Sequence, residues 1–277
     1  MQFIGNATLL IRYGPFTVLT DPNLIHRGGE VTLGYGLTAT RTTDPALDAE
    51  QVPRPDLVIL SHDHGDHFDA VAADWLDPGV PILTAPAAAA SLEERGFRDV
   101  RPLRTWASAE FVRGGVRLRV TAAPARHGPA PIAAAMPEVM GSILELWADA
   151  PAAGGADDRL PPDVRIYLSG DTVFHDELAQ LRDRFGEVDL AFLHLGGMRL
   201  MGMQVTMDAG QGVQLINLLQ PRLSIPIHYN DYGTSSSTLA EFVAAVNEAG
   251  LAERVRYLRH GDTWPLWPGV ARAAAAG

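Results

Sequence analysis

The decisive stretch of this 277-residue chain lies at residues 57–67, LVILSHDHGDH, where an apolar run ends in three histidines and two aspartates. Residues 56–60 have the composition of a buried strand, with prolines before them and polar residues after them. His62 and His64 are two positions apart, so their side chains point to the same side of an extended chain and can bind one cation. The stretch therefore predicts a metal site at the end of a strand.

The second half of the same stretch extends this prediction. Gly65 lets the chain turn sharply, which can direct Asp66 and His67 to a second position a few ångströms away. Ordinary histidines in a polar surface loop are the alternative, but five metal-binding side chains in six residues favour metal chemistry. One short segment could thus supply half the ligands of two ions.

The composition narrows the classes of function. A net charge of −11 argues against a general affinity for nucleic acid or anionic membranes. All 22 basic residues are arginine, and the absence of lysine excludes Schiff-base chemistry. The chain also has no cysteine, which excludes thiol nucleophiles, disulfides and thiolate ligands. Any metal must therefore be held by nitrogen and oxygen.

The length and the 47% apolar share suit a single domain over residues 1–277. The first residues show no signal-peptide pattern, and no stretch approaches the roughly 20 apolar residues that span a bilayer. We therefore expect a cytoplasmic protein without a membrane span, and a homo-oligomer is compatible with the sequence. The alanine-rich tail, residues 268–277, is predicted to fray.

Another histidine or aspartate stands close to the end of each of four later predicted strands. These strands lie at residues 116–122, 164–168, 188–193 and 223–227, and the residues near their ends are His127, Asp171, His194 and His228. Each is a weak signal alone, since a lone histidine in a loop is usually solvated. Asp171 could equally cap a helix at residues 173–185. Together they suggest that distant strand ends supply further ligands.

The rest of the chain alternates predicted strands and helices. Strands are predicted at residues 8–13, 16–20, 81–84, 111–112, 142–147, 255–258 and 263–266, and helices at 68–76, 87–95, 208–219 and 235–248. Two segments, residues 23–52 and 129–140, are predicted loops that could wall the site. For residues 23–52 a packed surface loop is the preferred interpretation, and residues 129–140 could equally be a plain insertion.

In order and spacing, the candidate ligands resemble those of the metallo-β-lactamase superfamily, and the His-x-His-x-Asp-His segment is the specific part of the match. The resemblance runs from residues 3–8 and 20–22 to residues 226–229, so it covers nearly the whole chain. Within the superfamily the chain is similar to the branch of ascorbate-phosphate lactonases and N-acylethanolamine phospholipase D enzymes. The resemblance implies an α/β fold: a four-layer αββα sandwich, with two sheets back to back and the metals at one edge between them.

The resemblance also implies two divalent ions. It assigns His62, His64 and His127 to the first ion, Asp66, His67 and His228 to the second, and Asp171 to a bridging position. Nitrogen and oxygen donors without thiolate make zinc (Zn2+) the first choice, with manganese (Mn2+) and iron (Fe2+) as alternatives. In the superfamily's redox enzymes glutamate normally replaces His64, so an oxidoreductase is disfavoured.

The function implied is a metal-dependent hydrolase. A hydroxide bridging the ions would attack an ester, lactone or phosphodiester bond of a small-molecule substrate, with Asp66 orienting the nucleophile and passing a proton to the leaving group. A metal-binding sensor of the same fold without turnover is the alternative.

Several polar residues near the predicted ligands have open roles. His194 and Tyr229 are candidate substrate contacts, as is His175, but lone polar residues of this kind more often orient a neighbouring ligand or simply pack. Relatives in the branch often have histidine at the position of Asn6 and proline at that of His194, and these two departures leave the substrate open.

Overall fold

The structure is a computed structural model that describes residues 1–34, 36–134, 136–148 and 161–266. The tail predicted to fray, residues 268–277, lies outside these ranges, and the single domain over residues 1–277 stays a prediction. Within the described ranges, no helix has the length and apolar character needed to cross a lipid bilayer.

Short strands dominate the chain. In chain order they are β1 (Gln2–Gly5), β2 (Thr8–Tyr13), β3 (Phe16–Thr20), β4 (Glu30–Thr32), β5 (Thr38–Thr40), β6 (Leu57–Leu60), β7 (Ile82–Thr84), β8 (Val100–Pro102), β9 (Ser108–Arg113), β10 (Val116–Ala123), β11 (Gly141–Trp147), β12 (Val164–Leu168), β13 (Leu190–His194), β14 (Arg199–Leu200), β15 (Met203–Gln204) and β16 (Leu223–Ile227). The helices are α1 (Ala70–Trp75), α2 (Pro86–Glu94), α3 (Ala130–Ala133), α4 (Ala179–Phe185), α5 (Ala209–Leu219) and α6 (Leu239–Glu248).

Two six-stranded mixed sheets form the centre of the fold. The first has the strand order β1-β2-β3-β6-β7-β8, and the second has the order β16-β13-β12-β11-β10-β9. In the first sheet β3, β6, β7 and β8 are parallel, and in the second sheet β12, β13 and β16 are parallel. Parallel neighbours place their carboxyl ends at one edge, where ligands commonly bind.

The alternation of side chains in β6 shows how the layers are built. Leu57 and Ile59 point into the large apolar cluster that both sheets share, whereas Val58 and Leu60 pack outward with Leu92 of α2. The outer face of the second sheet is covered in the same way by α4, α5 and α6. Each such side chain contributes about 1.5–3 kcal/mol on burial. The predicted αββα sandwich is confirmed.

Most predicted elements are confirmed with small shifts at their ends. The strands predicted at residues 8–13, 16–20, 142–147, 164–168 and 223–227 correspond to β2, β3, β11, β12 and β16, and the helices predicted at residues 68–76, 87–95 and 208–219 correspond to α1, α2 and α5.

The helix predicted at residues 173–185 is wrong in its first turn. Helical structure begins only with a 3-10 turn at Asp176–Leu178, which leads into α4. The backbone before this turn makes a hydrogen bond outside the helix: the amide of Val173 donates to the carbonyl oxygen of Arg126 (2.9 Å). Asp171 consequently does not cap this helix, and its carboxylate faces histidines instead.

The two closing strands predicted at residues 255–258 and 263–266 are also wrong. The chain makes only isolated bridges there, Ser224 with Val255 and Gln2 with Thr263, so each segment touches a sheet edge at one point. The helix predicted at residues 235–248 begins at Leu239 instead.

Candidate metal centre

The topology brings the predicted ligand segments to one edge of the sandwich. In the second sheet β10 runs in the same direction as β12, β13 and β16, so the residues beyond their carboxyl ends lie near one another. From the first sheet, β6 leads into the histidine-rich segment. The two sheets are tied at this edge because the amide of Met140, just before β11, donates to the carbonyl oxygen of Ser61 (2.9 Å).

Three histidines form what we call the first donor group: His62, His64 and His127. One ring nitrogen of each lies within 4.8 Å of the others. His62 Nε2 and His64 Nδ1 face each other at 3.0 Å. Nδ1 of His127 donates to the carbonyl oxygen of Val205 (2.8 Å), which fixes the ring and leaves Nε2 as the available ligand atom.

The histidines of the first donor group are in the neutral form that binds metal. Burial lowers the pKa of His62 well below the ordinary value, and burial lowers the pKa of His64 to about 4. Both imidazoles are therefore neutral near pH 7 and keep a lone pair for a cation. Burial also lowers the pKa of His127, and three neutral imidazoles close to one point are the donor set of a divalent-metal site.

Two carboxylates and two histidines form the second donor group: Asp66, His67, Asp171 and His228. All four are buried. His228 Nε2 lies 3.2 Å from Asp66 Oδ2 and 3.7 Å from Asp171 Oδ1. His67 Nε2 lies 3.4 Å from Asp171 Oδ2 and 3.8 Å from Asp66 Oδ2.

The buried carboxylates give the second donor group a negative potential, which favours positive charge, either a proton on His67 or a bound cation. Burial disfavours the charged form of each side chain, but the carboxylates, with Asp171 foremost, raise the pKa of His67 well above the ordinary value. Burial likewise opposes ionisation of Asp171, yet His228 and His67 hold its pKa well below the ordinary range. Among the described residues, Asp66 Oδ1, His67 Nε2 and Asp171 Oδ1 have no hydrogen-bond partner. Such buried atoms are costly unless a further group satisfies them, and a divalent ion would do so.

Asp21 supports this arrangement, although it was not among the predicted ligands. Its carboxylate accepts hydrogen bonds from the amide and the hydroxyl of Ser61 (2.6 and 2.9 Å) and from Nδ1 of His67 (3.0 Å). This contact fixes the ring of His67 so that Nε2 points into the second donor group. An aspartate at the end of β3, the parallel neighbour of β6, was the signal that could have revealed it.

The two predicted substrate contacts lie in different surroundings. His194 is buried beside Asp21, with Nε2 3.4 Å from the carboxylate and Nδ1 3.1 Å from the hydroxyl of Ser169. Tyr229 packs in the apolar cluster under the outer helices, and its hydroxyl donates to the carbonyl oxygen of Leu258 (3.5 Å). Substrate contact by His194 and Tyr229 stays a prediction.

His175 belongs to neither donor group and lines a separate cavity of about 430 Å³, which Arg126 and Gln204 also line. The ring is buried, and neither of its nitrogens has a hydrogen-bond partner among the described residues.

A cavity of about 510 Å³ adjoins the first donor group through His64. The segment predicted as a loop at residues 23–52 contributes the β4–β5 hairpin to its wall, and the segment at residues 129–140 contributes Pro137. Residues 23–52 thus contain a short hairpin and line this cavity, and their role as a wall of the reaction site stays a prediction. Three charged residues, Glu30, Asp63 and Arg95, lie among the apolar residues of its wall.

Comparisons with known proteins agree with this geometry. The family described as "Beta-lactamase superfamily domain" matches residues 17–229. A protein of Deinococcus radiodurans named as a metal-dependent hydrolase is 30% identical over 272 residues, which cover 96% of this chain and 99% of the relative. The N-acyl-phosphatidylethanolamine-hydrolyzing phospholipase D 1 of Caenorhabditis elegans is 25% identical over 83% of this chain and 63% of its own length. The crystal structure of an isothiocyanate hydrolase from Delia radicum gut bacteria aligns with a TM-score of 0.76 at 22% identity, covering 96% of this chain and 99% of that one.

Proposed function

Because this chain belongs to the metallo-β-lactamase superfamily and is a metal-dependent hydrolase, we propose that it uses two divalent ions to cleave an ester, lactone or phosphodiester bond of a small molecule. The first donor group would hold one ion. The second donor group would hold the other, with Asp171 bridging the two ions. Zinc is the first choice for both positions, because the donors are imidazole and carboxylate without thiolate.

The observation that carries this proposal is the adjacency of two complete, buried donor groups. The ring centroids of His62, from the first group, and His67, from the second, are 4.2 Å apart. Ions in two-metal hydrolytic sites are typically about 3.5–4 Å apart, so neighbouring groups of this kind suit a pair better than one isolated ion.

Metal ions bound at these groups would lower the pKa of a coordinated water toward neutrality and stabilise negative charge on the reacting oxygen. The protein residues would supply orientation and proton transfer. Asp66 Oδ2 faces His228, whereas Oδ1 has no hydrogen-bond partner among the described residues. Because a carboxylate has two oxygens, Asp66 could bind an ion through one of them and, through the other, pass a proton from the nucleophile to the leaving group.

The cavity beside His64 would receive the substrate. Its volume of about 510 Å³ is in the range of small-molecule sites. Arg95 lies on its wall with the guanidinium over the ring of Phe68, 4.6 Å from the centroid, and could interact with an anionic part of a substrate.

The test combines metal analysis with a substrate panel of lactones, carboxylic esters and phosphodiesters. We expect His62→Ala and Asp66→Ala each to lower turnover of any accepted substrate by about 10²-fold or more, the usual effect of losing such a group. His26→Ala is the matched control, because His26 is exposed and belongs to neither donor group.

Two outcomes would contradict the proposal. Turnover that survives both substitutions would separate the activity from the donor groups. Two bound ions without turnover of any substrate class would instead favour a metal-binding sensor.

A further inference from the structure

Asn6 links the two ends of the second donor group. It follows β1 and is buried, with 1% of its surface exposed. Its side-chain Nδ2 donates to the backbone carbonyl oxygen of Asp66 (2.6 Å). Its backbone carbonyl oxygen accepts from the backbone amide of His228 (3.0 Å). One residue thus contacts the backbones of two candidate ligands that lie 162 positions apart in the chain.

The backbone at this link has an uncommon conformation. Asn6 and His228 both have positive φ angles, 48° and 66°. Asparagine and histidine adopt this region more readily than most residues, but it still costs free energy and persists where neighbouring contacts enforce it. The hydrogen bond between the two residues is one such contact, and it sets the direction in which the His228 side chain leaves the backbone.

Asp231 holds Asn6 from the other side. Its Oδ2 accepts from the backbone amide of Asn6 (3.0 Å). Its Oδ1 accepts from the hydroxyl of Thr43 and lies 3.1 Å from Nε2 of His260 and 3.6 Å from the guanidinium of Arg41. A carboxylate with 1% of its side chain exposed is thereby satisfied at both oxygens, and its position is fixed from several segments of the chain.

The first donor group rests on different contacts. His127 is fixed by the carbonyl oxygen of Val205, and Nδ1 of His62 lies 3.0 Å from the hydroxyl of Ser61. In the described part of the chain, the hydrogen bonds and ion pairs of Asn6 and Asp231 do not reach the first donor group. The Ser61 hydroxyl contacts both His62 and the Asp21 carboxylate that supports His67, whereas Asn6, held by Asp231, contacts the second donor group alone.

We propose that Asn6 and Asp231 are positioning residues of the second donor group: Asp231 fixes Asn6, and Asn6 holds Asp66 and His228 at the separation needed to share one ion. The inference deepens the proposed function and rests on its two-ion site. It assigns a role to Asn6, which the sequence left open.

The test measures the two ion-binding events separately. Metal-free protein is titrated with Zn2+ against a chromophoric chelator, and the bound zinc is counted by mass spectrometry after gel filtration. For Asn6→Ala and Asp231→Ala we expect the first ion to bind as in the wild type and the second about 10- to 100-fold more weakly, the usual effect of losing the outer support of a metal ligand. The same change should lower the number of ions retained from two to one.

Conservative variants keep the test decisive if an alanine variant fails to fold. Asp231→Asn retains an oxygen that can accept from the amide of Asn6, so we expect it to rescue part of the second-ion affinity. Asn6→Asp is similar in shape but loses the Nδ2 donor to Asp66, so it should behave like Asn6→Ala. Asn230→Ala, at an exposed neighbouring position, is the matched control.

Three outcomes are informative. Second-ion affinity in Asn6→Asp equal to that of the wild type would overturn the inference while the two-ion site stands. Equal weakening of both ions in every variant would also overturn it, because that is the result of a general loss of stability. A wild-type protein that binds one ion would refute the two-ion site itself and the inference with it.

Discussion

Replacing Asp21 with alanine removes the carboxylate that supports His67. In the folded protein this carboxylate accepts from the amide and the hydroxyl of Ser61 and from Nδ1 of His67, and Nε2 of His194 lies 3.4 Å away. We predict two effects of Asp21→Ala: lower stability of the metal-free protein and weaker metal binding at the second donor group.

The size of the stability effect follows from the pKa of Asp21. Burial by itself would raise this pKa, but the charge and hydrogen bond of His67, with the hydrogen bond of His194, lower it from 3.8 to about 2. A shift of nearly two units corresponds to about 2.5 kcal/mol of stability. The substitution also leaves the amide of Ser61 without its acceptor, which costs about 1–3 kcal/mol. These contributions overlap, so we expect a total loss of about 3–5 kcal/mol, as for other broken buried ion pairs.

The contribution of Asp21 to stability decreases as the pH falls. Because the folded pKa of Asp21 lies below the unfolded value, its contribution is fully present above about pH 4 and is lost as the pH falls toward about 2. The measurement is the free energy of unfolding of metal-free wild type and variant in urea, at pH 7 and at several acidic pH values. The difference between the two proteins should shrink across that acidic window.

Zinc titration provides the second readout for Asp21. We expect about 10- to 100-fold weaker binding at the second donor group, because His67 loses the contact that orients it. Asp21→Asn is the matched control: its oxygen can still accept from Ser61, but its amide cannot replace the charge beside His67, so an intermediate effect is expected. An Asp21→Ala protein with wild-type stability and wild-type zinc affinity would refute this reasoning.

Two further predictions concern the cavity wall and a titrating pair. Gly34 has a φ of 77°, and a Cβ there would lie 3.3 Å from Nε2 of His64. Gly34→Ala should therefore destabilise the fold by about 1 kcal/mol and weaken zinc binding. Gly36→Ala is the control: with a φ of 73° and open space around it, this variant should show only the loss of stability in urea unfolding. Burial disfavours the charged form of His260, but the hydrogen bond with Asp231 raises its pKa, so its contribution is full below about pH 6.5 and declines as the pH rises through the folded value. The stability difference between wild type and His260→Gln should therefore be larger at about pH 6 than at about pH 9, and a difference that grows with pH would contradict the assignment.

Local patterns predicted the part of the site that is local in sequence. His62, His64, Asp66 and His67 fall within six residues, and their spacing after an apolar strand was enough to indicate a metal site. The more distant residues, such as His127, could be collected because each follows a recognisable strand. The structure brings all of these residues together in the two donor groups.

The residues that support the donors could not be found in this way. Asp21 and Asn6 stand in turns, where aspartate and asparagine are common for purely local reasons. Their roles depend on contacts with segments that lie 40 and 225 positions away, at Ser61 and Asp231. The β4–β5 hairpin was missed for a different reason, because strands of three residues are too short to show a period.

The backbone conformations at the metal centre indicate that the geometry of the donors does not depend on the sequence of the cavity wall. Of the six described non-glycine residues with positive φ, three, Asn6, Asp21 and His228, lie at the candidate metal centre, each directly after a strand of one of the two sheets. Such conformations persist only where the surroundings enforce them, and here strand pairing and buried hydrogen bonds do so. The geometry of the donors is thus set by the ends of paired strands. Part of the cavity wall comes from the segments at residues 23–52 and 129–140, whose side chains can change without moving the donors.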